Sequence, residues 1–208
     1  TAMMFILSGG ALFFLAGVRL WKFGLVIASV CTAFPILWSK LHTYQQNRIL
    51  IFLDPDLDPS KTGYHLSQSK IALGSGGIFG KGFMQGSQSH LDFLPEKQTD
   101  FIFTMFAEEF GLVGCIFLLF LYALVIAYGY KVASQSRSQF GRLLALSMSN
   151  MLFLYVFINT GMVMGLLPVV GVPLPLMSYG GTAMLTLMMG IGMIFSVKIH
   201  QDHRIGRF

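Results

Sequence analysis

Charged residues are scarce in this chain of 208 residues. They make up 11% of it, whereas soluble domains contain about 25%. Hydrophobic residues make up 54%, with phenylalanine, methionine and glycine all abundant. A soluble domain with a single core has no use for so much apolar surface, while a membrane protein exposes it to lipid. The composition therefore predicts an all-α polytopic membrane protein.

Cysteine is nearly absent as well. Its two copies, Cys31 and Cys115, both lie in apolar segments without a second thiol or a histidine at ligand spacing. A structural disulfide or a thiolate metal site does not fit this pattern. Both residues are predicted to be small, buried hydrophobic groups.

Five segments are apolar enough to predict membrane helices, each of which needs about 20 residues. They are residues 1–17, 22–38, 99–130, 142–166 and 180–198, and residues 39–98 form one large loop. The first segment lacks an initiator methionine, a charged n-region and a cleavage site, so it does not fit a signal peptide. We expect a helix shortened by truncation, and a chain that forms the C-terminal part of one membrane domain.

Basic residues are concentrated in alternate connections. The first connection, the third connection and the tail carry a single acid, Asp202, against eight cations: Arg19, Lys22, Lys131, Arg137, Arg142, Lys198, Arg204 and Arg207. The positive-inside rule makes these segments cytoplasmic, so the large loop and residues 168–179 are predicted to be extracytoplasmic. The basic clusters are too small and too scattered for nucleic-acid binding.

Two parts of the large loop resemble ligand motifs only superficially. Residues 74–82 are glycine-rich, but their spacing fits neither a Walker nor a dinucleotide pattern. Backbone N–H groups beside Lys81 would either cradle a pyrophosphate or form a plain surface turn. The alternating acids at positions 54, 56 and 58 lack the glycine and glutamate of a calcium loop, which predicts a solvated turn.

Asp92, Glu96 and Asp100 follow one another at intervals of four residues, next to the third apolar segment. Pro95 fits the first turn of that helix, where the macrodipole favours carboxylates. Two interpretations stay open. These acids cap a membrane helix, or Asp100 stays charged at the bilayer surface and faces the polar head of an amphiphile.

Glu108 and Glu109 lie about 12 Å further along the same helix. Glu108 shares a stripe with Asp100 and Thr104, whereas Glu109 points nearly the opposite way. Acids at membrane depth are either functional or paired within the bundle. We expect Glu108 to face the interior cavity, with a structural ion pair as the alternative.

The connection between the last two spans contains three prolines and a pair of glycines within residues 159–183. Such a sequence cannot form a continuous helix, and non-helical backbone at membrane depth must be buried in protein or line a cavity. A re-entrant or cavity-lining loop is therefore predicted.

The same residues read Asn-x5-Gly-Leu-x-Pro-x-x-Gly-x4-Leu-Met-Ser-Tyr-Gly-Gly-Thr-Ala. This pattern resembles the signature of the shape, elongation, division and sporulation family, which includes RodA, FtsW and SpoVE. Residues 63–77, 93–103 and 107–111 also resemble the family's large loop and following helix, and residues 167–175 are more similar to RodA than to FtsW. The resemblance covers nearly the whole chain, although family members have about twice as many spans.

The resemblance implies a peptidoglycan glycosyltransferase of the bacterial inner membrane that polymerises lipid II during cell-wall elongation. Asp100 is the implied catalytic residue, since a general base must take the proton of the attacking sugar hydroxyl. Candidate substrate-binding residues, including cations for the departing pyrophosphate, are Arg48, Lys81, Glu96, Lys97 and Glu108. A divalent cation, Mg²⁺ or Mn²⁺, is a candidate cofactor.

The implied partners are lipid II, a class B penicillin-binding transpeptidase and other membrane proteins of the elongation complex. Two alternatives remain open. A lipid II flippase would also need a polar cavity inside a helical bundle, and a non-catalytic scaffold for cell-wall enzymes would need only the helices.

Overall fold

The computed structural model describes residues 2–40, 42, 45, 46, 50, 62–86 and 98–201. These ranges contain helices and no strand. The helices are α1 (Ala2–Leu15), α2 (Leu20–Lys40), α3 (Thr62–Ser75), α4 (Ile102–Gln135), α5 (Gln139–Val163) and α6 (Gly181–Ile199).

Three of these helices, α4, α5 and α6, are long and apolar enough to cross a membrane. They lie where the third, fourth and fifth spans are predicted. The apolar stretches in α1 and α2, Ile6–Leu15 and Leu20–Phe34, are shorter. The predicted all-helical membrane architecture is confirmed.

Helix α5 is central, because it packs against α4, α6 and α1, while α3 packs against α4. Two buried clusters fill the bundle. One joins α4 and α5 to the loop after α5 and includes Phe101, Phe103, Met162, Val163 and Leu174. The other joins the far ends of α4, α5 and α6 and consists of Val132, Ala133, Ala145, Ile194 and Val197.

Basic residues lie at one end of the bundle, and Asp100 lies at the other. At one end, the turn between α4 and α5 meets the end of α6, where the Arg137 N–H donates to the Gln201 oxygen at 3.4 Å. Lys198 Nζ also donates to Gln135 Oε1 there, at 2.9 Å. Asp100 and the proline-rich loop between α5 and α6 lie at the opposite end. The cations of the third connection and of the end of α6 therefore share one end, away from Asp100.

Helix α4 is broken at Gly111, whose φ of 66° and ψ of −164° are not helical. The glycine loop, residues 74–82, docks on this break through backbone hydrogen bonds of 3.0 to 3.1 Å: Leu112 N to Gly77 O, Val113 N to Ile78 O, Lys81 N to Glu108 O and Gly82 N to Glu109 O. A Cβ atom at Gly80 or Gly111 would overlap the backbone of the other segment. The glycines therefore allow two backbones to touch.

This docking contradicts the pyrophosphate interpretation of the glycine loop and refines the turn interpretation. The N–H groups of Lys81 and Gly82 donate to carbonyl oxygens of α4, so they are not available to a pyrophosphate. Residues 76–79 do form a turn, and residues 74, 75 and 77–79 are exposed, but Gly76 is buried against the backbone of α4. Sequence spacing could not reveal this partner, because it is a break in another helix.

The prediction for the two cysteines holds for one of them. Cys115 in α4 is buried, whereas Cys31 in α2 is exposed. The reason is the position of α2, whose large apolar side chains from Leu20 to Phe34 are mostly uncovered by the other described helices.

Candidate active site at Asp100

Asp100 lies in a turn just before α4, and its side chain is partly buried. The helix begins at Ile102, and its N-cap is Phe101, which makes no side-chain capping bond. The predicted helix start at Pro95 is therefore too early, because residues 98–101 form a turn instead. Asp100 thus stands one residue before the N-cap of α4.

Asn159, one turn before the end of α5, holds the backbone of this turn. Its Nδ2 donates to the Asp100 oxygen at 2.9 Å and to the Val172 oxygen at 2.6 Å. The side chain has no exposed surface. A single buried amide therefore ties the start of α4 to α5 and to the following loop.

The proline-rich loop, residues 164–180, is fastened to the same turn by Ser178. Its hydroxyl donates to the Thr99 oxygen at 2.6 Å and accepts the Leu174 N–H at 2.7 Å. The Tyr179 N–H donates to the Gln98 oxygen at 2.8 Å. The signature segment thus binds the carbonyl oxygens of three consecutive residues before α4: Gln98, Thr99 and Asp100.

The proline-rich loop also borders the Asp100 carboxylate itself. Gly171 has a φ of +72°, and a Cβ atom on it would stand 2.9 Å from Asp100 Oδ2. Leu176 adopts a φ of 62°, which is uncommon for a residue with a side chain. Strained backbone of this kind concentrates at functional sites. The predicted cavity-lining loop thus has a definite neighbour, the carboxylate of Asp100.

Helix α3, within the large loop, supports the site from the side. Ser69 Oγ donates to the Val163 oxygen at 2.9 Å and lies 2.9 Å from Thr104 Oγ1, so the Thr104 hydroxyl donates to Ser69. Nearer the start of α3, the His65 ring lies tilted by 53° against that of Phe101, with 6.5 Å between the ring centroids. The large loop is therefore packed on the first turns of α4.

Glu108 forms a buried ion pair rather than an open substrate contact. Its Oε1 lies 2.7 Å from Lys81 Nζ, and the side chains are 0% and 30% exposed, respectively. The structural pairing left open by the sequence is thus present. The expectation that Glu108 faces an interior cavity does not fit a fully buried carboxylate.

The remaining predicted substrate-binding residues and the candidate metal site are not defined by the described residues. Arg48, Glu96 and Lys97 lie outside the described residues, as do Asp92 and Pro95. The described residues contain no group of three histidine, cysteine, aspartate or glutamate side chains that would hold a metal ion. A divalent cation would therefore need ligands beyond the described residues, from other parts of the chain or from pyrophosphate oxygens.

Sequence analysis missed three side chains that shape the site: Asn159, Ser178 and Ser69. Asn159 and Ser178 stand at conspicuous places in the signature motif, but their hydrogen-bond acceptors are backbone carbonyls far away in the sequence. A polar residue inside an otherwise apolar span was the available signal, because such a residue is costly unless it has a partner.

The fold and the site define a helical membrane protein in which a partly buried carboxylate lies in a turn held by a proline-rich loop. The model of the FtsW, RodA and SpoVE family, described as cell cycle proteins, matches residues 1–203. The chain belongs to this family, as its resemblance to the family predicts.

Curated relatives agree with this assignment. The chain is 50% identical over 202 residues to the peptidoglycan glycosyltransferase MrdB of Escherichia coli K12. The matched region covers 97% of this chain and 55% of the relative. It is 42% identical over 161 residues to the peptidoglycan glycosyltransferase RodA of Treponema pallidum, covering 77% and 37% of the two chains. The chain spans about half the length of the curated relatives it matches.

Two solved structures share the fold. The first is a chain from a structure whose description is "Structural coordination of polymerization and crosslinking by a peptidoglycan synthase complex". It matches with a TM-score of 0.76 and 29% identity, and the match covers 99% of this chain and 56% of that chain. The other is an aspartate-to-alanine mutant of the rod shape determining protein RodA from Thermus thermophilus. It matches with a TM-score of 0.51 and 31% identity over 61% of this chain and 40% of that chain.

Proposed function

We propose that the protein containing this chain polymerises lipid II into glycan strands during cell-wall elongation, with Asp100 as the general base. The observation that carries this proposal is the convergence of the family signature on Asp100: Asn159 and Ser178 bind the carbonyl oxygens of Asp100 and Thr99, and Gly171 borders the carboxylate. Relatives with 50% and 42% identity are named peptidoglycan glycosyltransferases.

The chemistry suits a carboxylate at this place. A sugar 4-hydroxyl attacks C1 of a second sugar, whose bond to the undecaprenyl pyrophosphate breaks, and the hydroxyl proton passes to the base. Pyrophosphate leaves without protonation, so a second carboxylic acid is not required, unlike in a glycosidase. A partly buried carboxylate at the end of the bundle can reach the polar head of a substrate whose lipid tail stays in the membrane.

Cations would stabilise the charge that develops on the departing pyrophosphate. Lys81 retains some exposure while it is paired with Glu108, and Arg48 and Lys97 remain candidates. Glu96 is a further candidate for substrate binding, whereas Glu108 would act only through Lys81. A divalent cation, Mg²⁺ or Mn²⁺, would supply the same charge stabilisation if the substrate provides part of its ligand set.

We place this reaction on the extracytoplasmic side of the bacterial inner membrane. The cations of the third connection and of the end of α6 share the end opposite to Asp100, and positive connections stay in the cytoplasm. The proposed partner is a class B penicillin-binding transpeptidase, supported by the fold shared with a chain of a peptidoglycan synthase complex. Other membrane proteins of the elongation machinery are further candidates.

The test is a reconstitution of the full-length protein with fluorescent lipid II, alone and with the transpeptidase. Glycan polymer supports a transferase, and a higher yield with the partner supports the partnership. Movement of lipid II across the bilayer without polymer would instead favour a flippase. Neither activity, in a protein that still binds the transpeptidase, would favour a scaffold.

A further inference from the structure

Asn159 is a buried side chain whose hydrogen-bond donors are fully used. Its Nδ2 group has two hydrogens, and it donates to two backbone oxygens, those of Asp100 and Val172. Both partners are carbonyl oxygens, which can only accept, so the orientation of the amide is determined. Asn159 is thus placed to hold two carbonyl groups at a fixed separation.

The acceptor side of the same amide is unused. Asn159 Oδ1 is buried and has no hydrogen-bond partner among the described residues. An unpaired buried acceptor costs about 1–3 kcal/mol, and an apolar residue would avoid that cost only by leaving the Asp100 and Val172 oxygens without their donor. The contribution of this amide therefore lies in its two donated hydrogen bonds.

The two carbonyls that Asn159 holds belong to the two sides of the site. Asp100 is 59 residues away in the sequence and Val172 is 13 residues away. Val172 directly follows Gly171, the residue that borders the Asp100 carboxylate oxygen. One side chain therefore sets both the backbone of Asp100 and the loop against which its carboxylate rests.

We propose that Asn159 is a positioning residue that holds the Asp100 carboxylate in its reactive place, an inference that rests on the proposed function of Asp100 as general base. Without the two donors, the turn before α4 keeps the Ser178 and Tyr179 hydrogen bonds to the proline-rich loop, but the Asp100 backbone and the loop beside Gly171 shift. A misplacement of about 1 Å in a reacting group costs about 10²-fold in rate. Substrate affinity is not affected, because Asn159 has no exposed surface with which to touch lipid II.

The test measures lipid II polymerisation by the full-length protein at varied substrate concentration, for Asn159→Leu and Asn159→Ser. Thr160→Val is the matched control. Thr160 is the adjacent buried residue, and its hydroxyl donates within its own helix, to the Val156 and Phe157 oxygens. We expect both Asn159 variants to lose about 10²-fold in kcat with KM changed by less than about twofold. Thr160→Val should keep both values.

Asn159→Ser decides the matter if Asn159→Leu does not accumulate as folded protein. An unchanged kcat in a folded Asn159 variant, or an equal loss in Thr160→Val, would overturn the positioning role. Asp100→Asn, measured alongside, separates the two claims. Normal polymerisation by Asp100→Asn removes the proposed base, whereas inactive Asp100→Asn beside a fully active Asn159 variant removes only the positioning role.

Discussion

Gly171 stands where the proline-rich loop passes the Asp100 carboxylate, and two constraints act on it. Its φ of +72° is unfavourable for a residue with a side chain, and a Cβ atom would approach Asp100 Oδ2 to 2.9 Å. The first constraint affects folding, whereas the second affects the position of the carboxylate. A pair of alanine substitutions separates them.

We expect Gly171→Ala to lower lipid II polymerisation at least about tenfold, because the new methyl group displaces the carboxylate. Gly17→Ala is the matched control, since Gly17 also has a positive φ, +84°, but no atom lies within 4 Å of its Cβ position. Both variants carry the same kind of backbone strain. Equal losses of activity in the two variants would mean that strain alone explains the effect.

At this scale the sequence predicts the candidate base but not the residues around it. Asp100 is recognisable because it is charged, stands beside a long apolar run and matches a family motif. Ser178 acts through the Thr99 oxygen, and Asn159 acts through the oxygens of Asp100 and of Val172 in the proline-rich loop. Backbone acceptors have no distinctive residue type, so no sequence pattern reveals such a pair before the chain is folded.

At the scale of helices and loops, the break in α4 and the docked glycine loop form one unit. The Lys81–Glu108 ion pair joins the same two segments that share the backbone hydrogen bonds. Glu108 has no exposed surface, so its charge depends on a partner inside the protein. This geometry indicates that the main role of the ion pair is to stabilise the fold.

We expect Lys81→Met to lower the free energy of unfolding by up to about 3–5 kcal/mol, because it leaves a buried carboxylate with a missing partner. Glu108→Gln should cost less, since Lys81 is partly exposed and can reach water. The double variant should recover most of the loss. Thermal unfolding in detergent checks all three, with lipid II affinity measured in parallel.

The opposite result would support the role that the sequence predicts for both residues, which is substrate binding. If Lys81→Met weakens lipid II binding while the unfolding temperature stays unchanged, the lysine acts on the substrate rather than on Glu108. A double variant less stable than either single variant would also contradict the ion-pair account.

The sequence predicts the membrane helices α4, α5 and α6 well, because a long apolar run has few alternatives to a helix in lipid. It places the start of α4 too early, at Pro95, because proline is common in a first helical turn. The sequence does not reveal the hydrogen bonds from distant residues that hold residues 98–100 in a turn. It also leaves the break at Gly111 unrecognised, because a single glycine within an apolar run has no distinctive pattern.

At the scale of the whole molecule, the account requires Asp100 to face the extracytoplasmic side. Single cysteines at Gln85 and Gln139, in a cysteine-free background of the full-length protein, test this in intact cells. Both glutamines are exposed. We expect an impermeant thiol reagent to label position 85 from outside and position 139 only after permeabilisation. Reversed labelling would place the site in the cytoplasm and remove lipid II polymerisation as its function.

The central claim, that Asp100 is the base of a lipid II polymerase, is tested most directly by Asp100→Asn in the full-length protein. Asparagine keeps the volume and an acceptor oxygen but cannot take the proton of the attacking hydroxyl. Losing a general base costs about 10²–10⁴-fold, so we expect glycan polymer to vanish while membrane insertion, thermal unfolding and transpeptidase binding stay normal. Asp92→Asn and Glu96→Gln, the neighbouring acids, should lose much less. Polymer formation by Asp100→Asn at a rate near that of the unaltered protein would contradict the account.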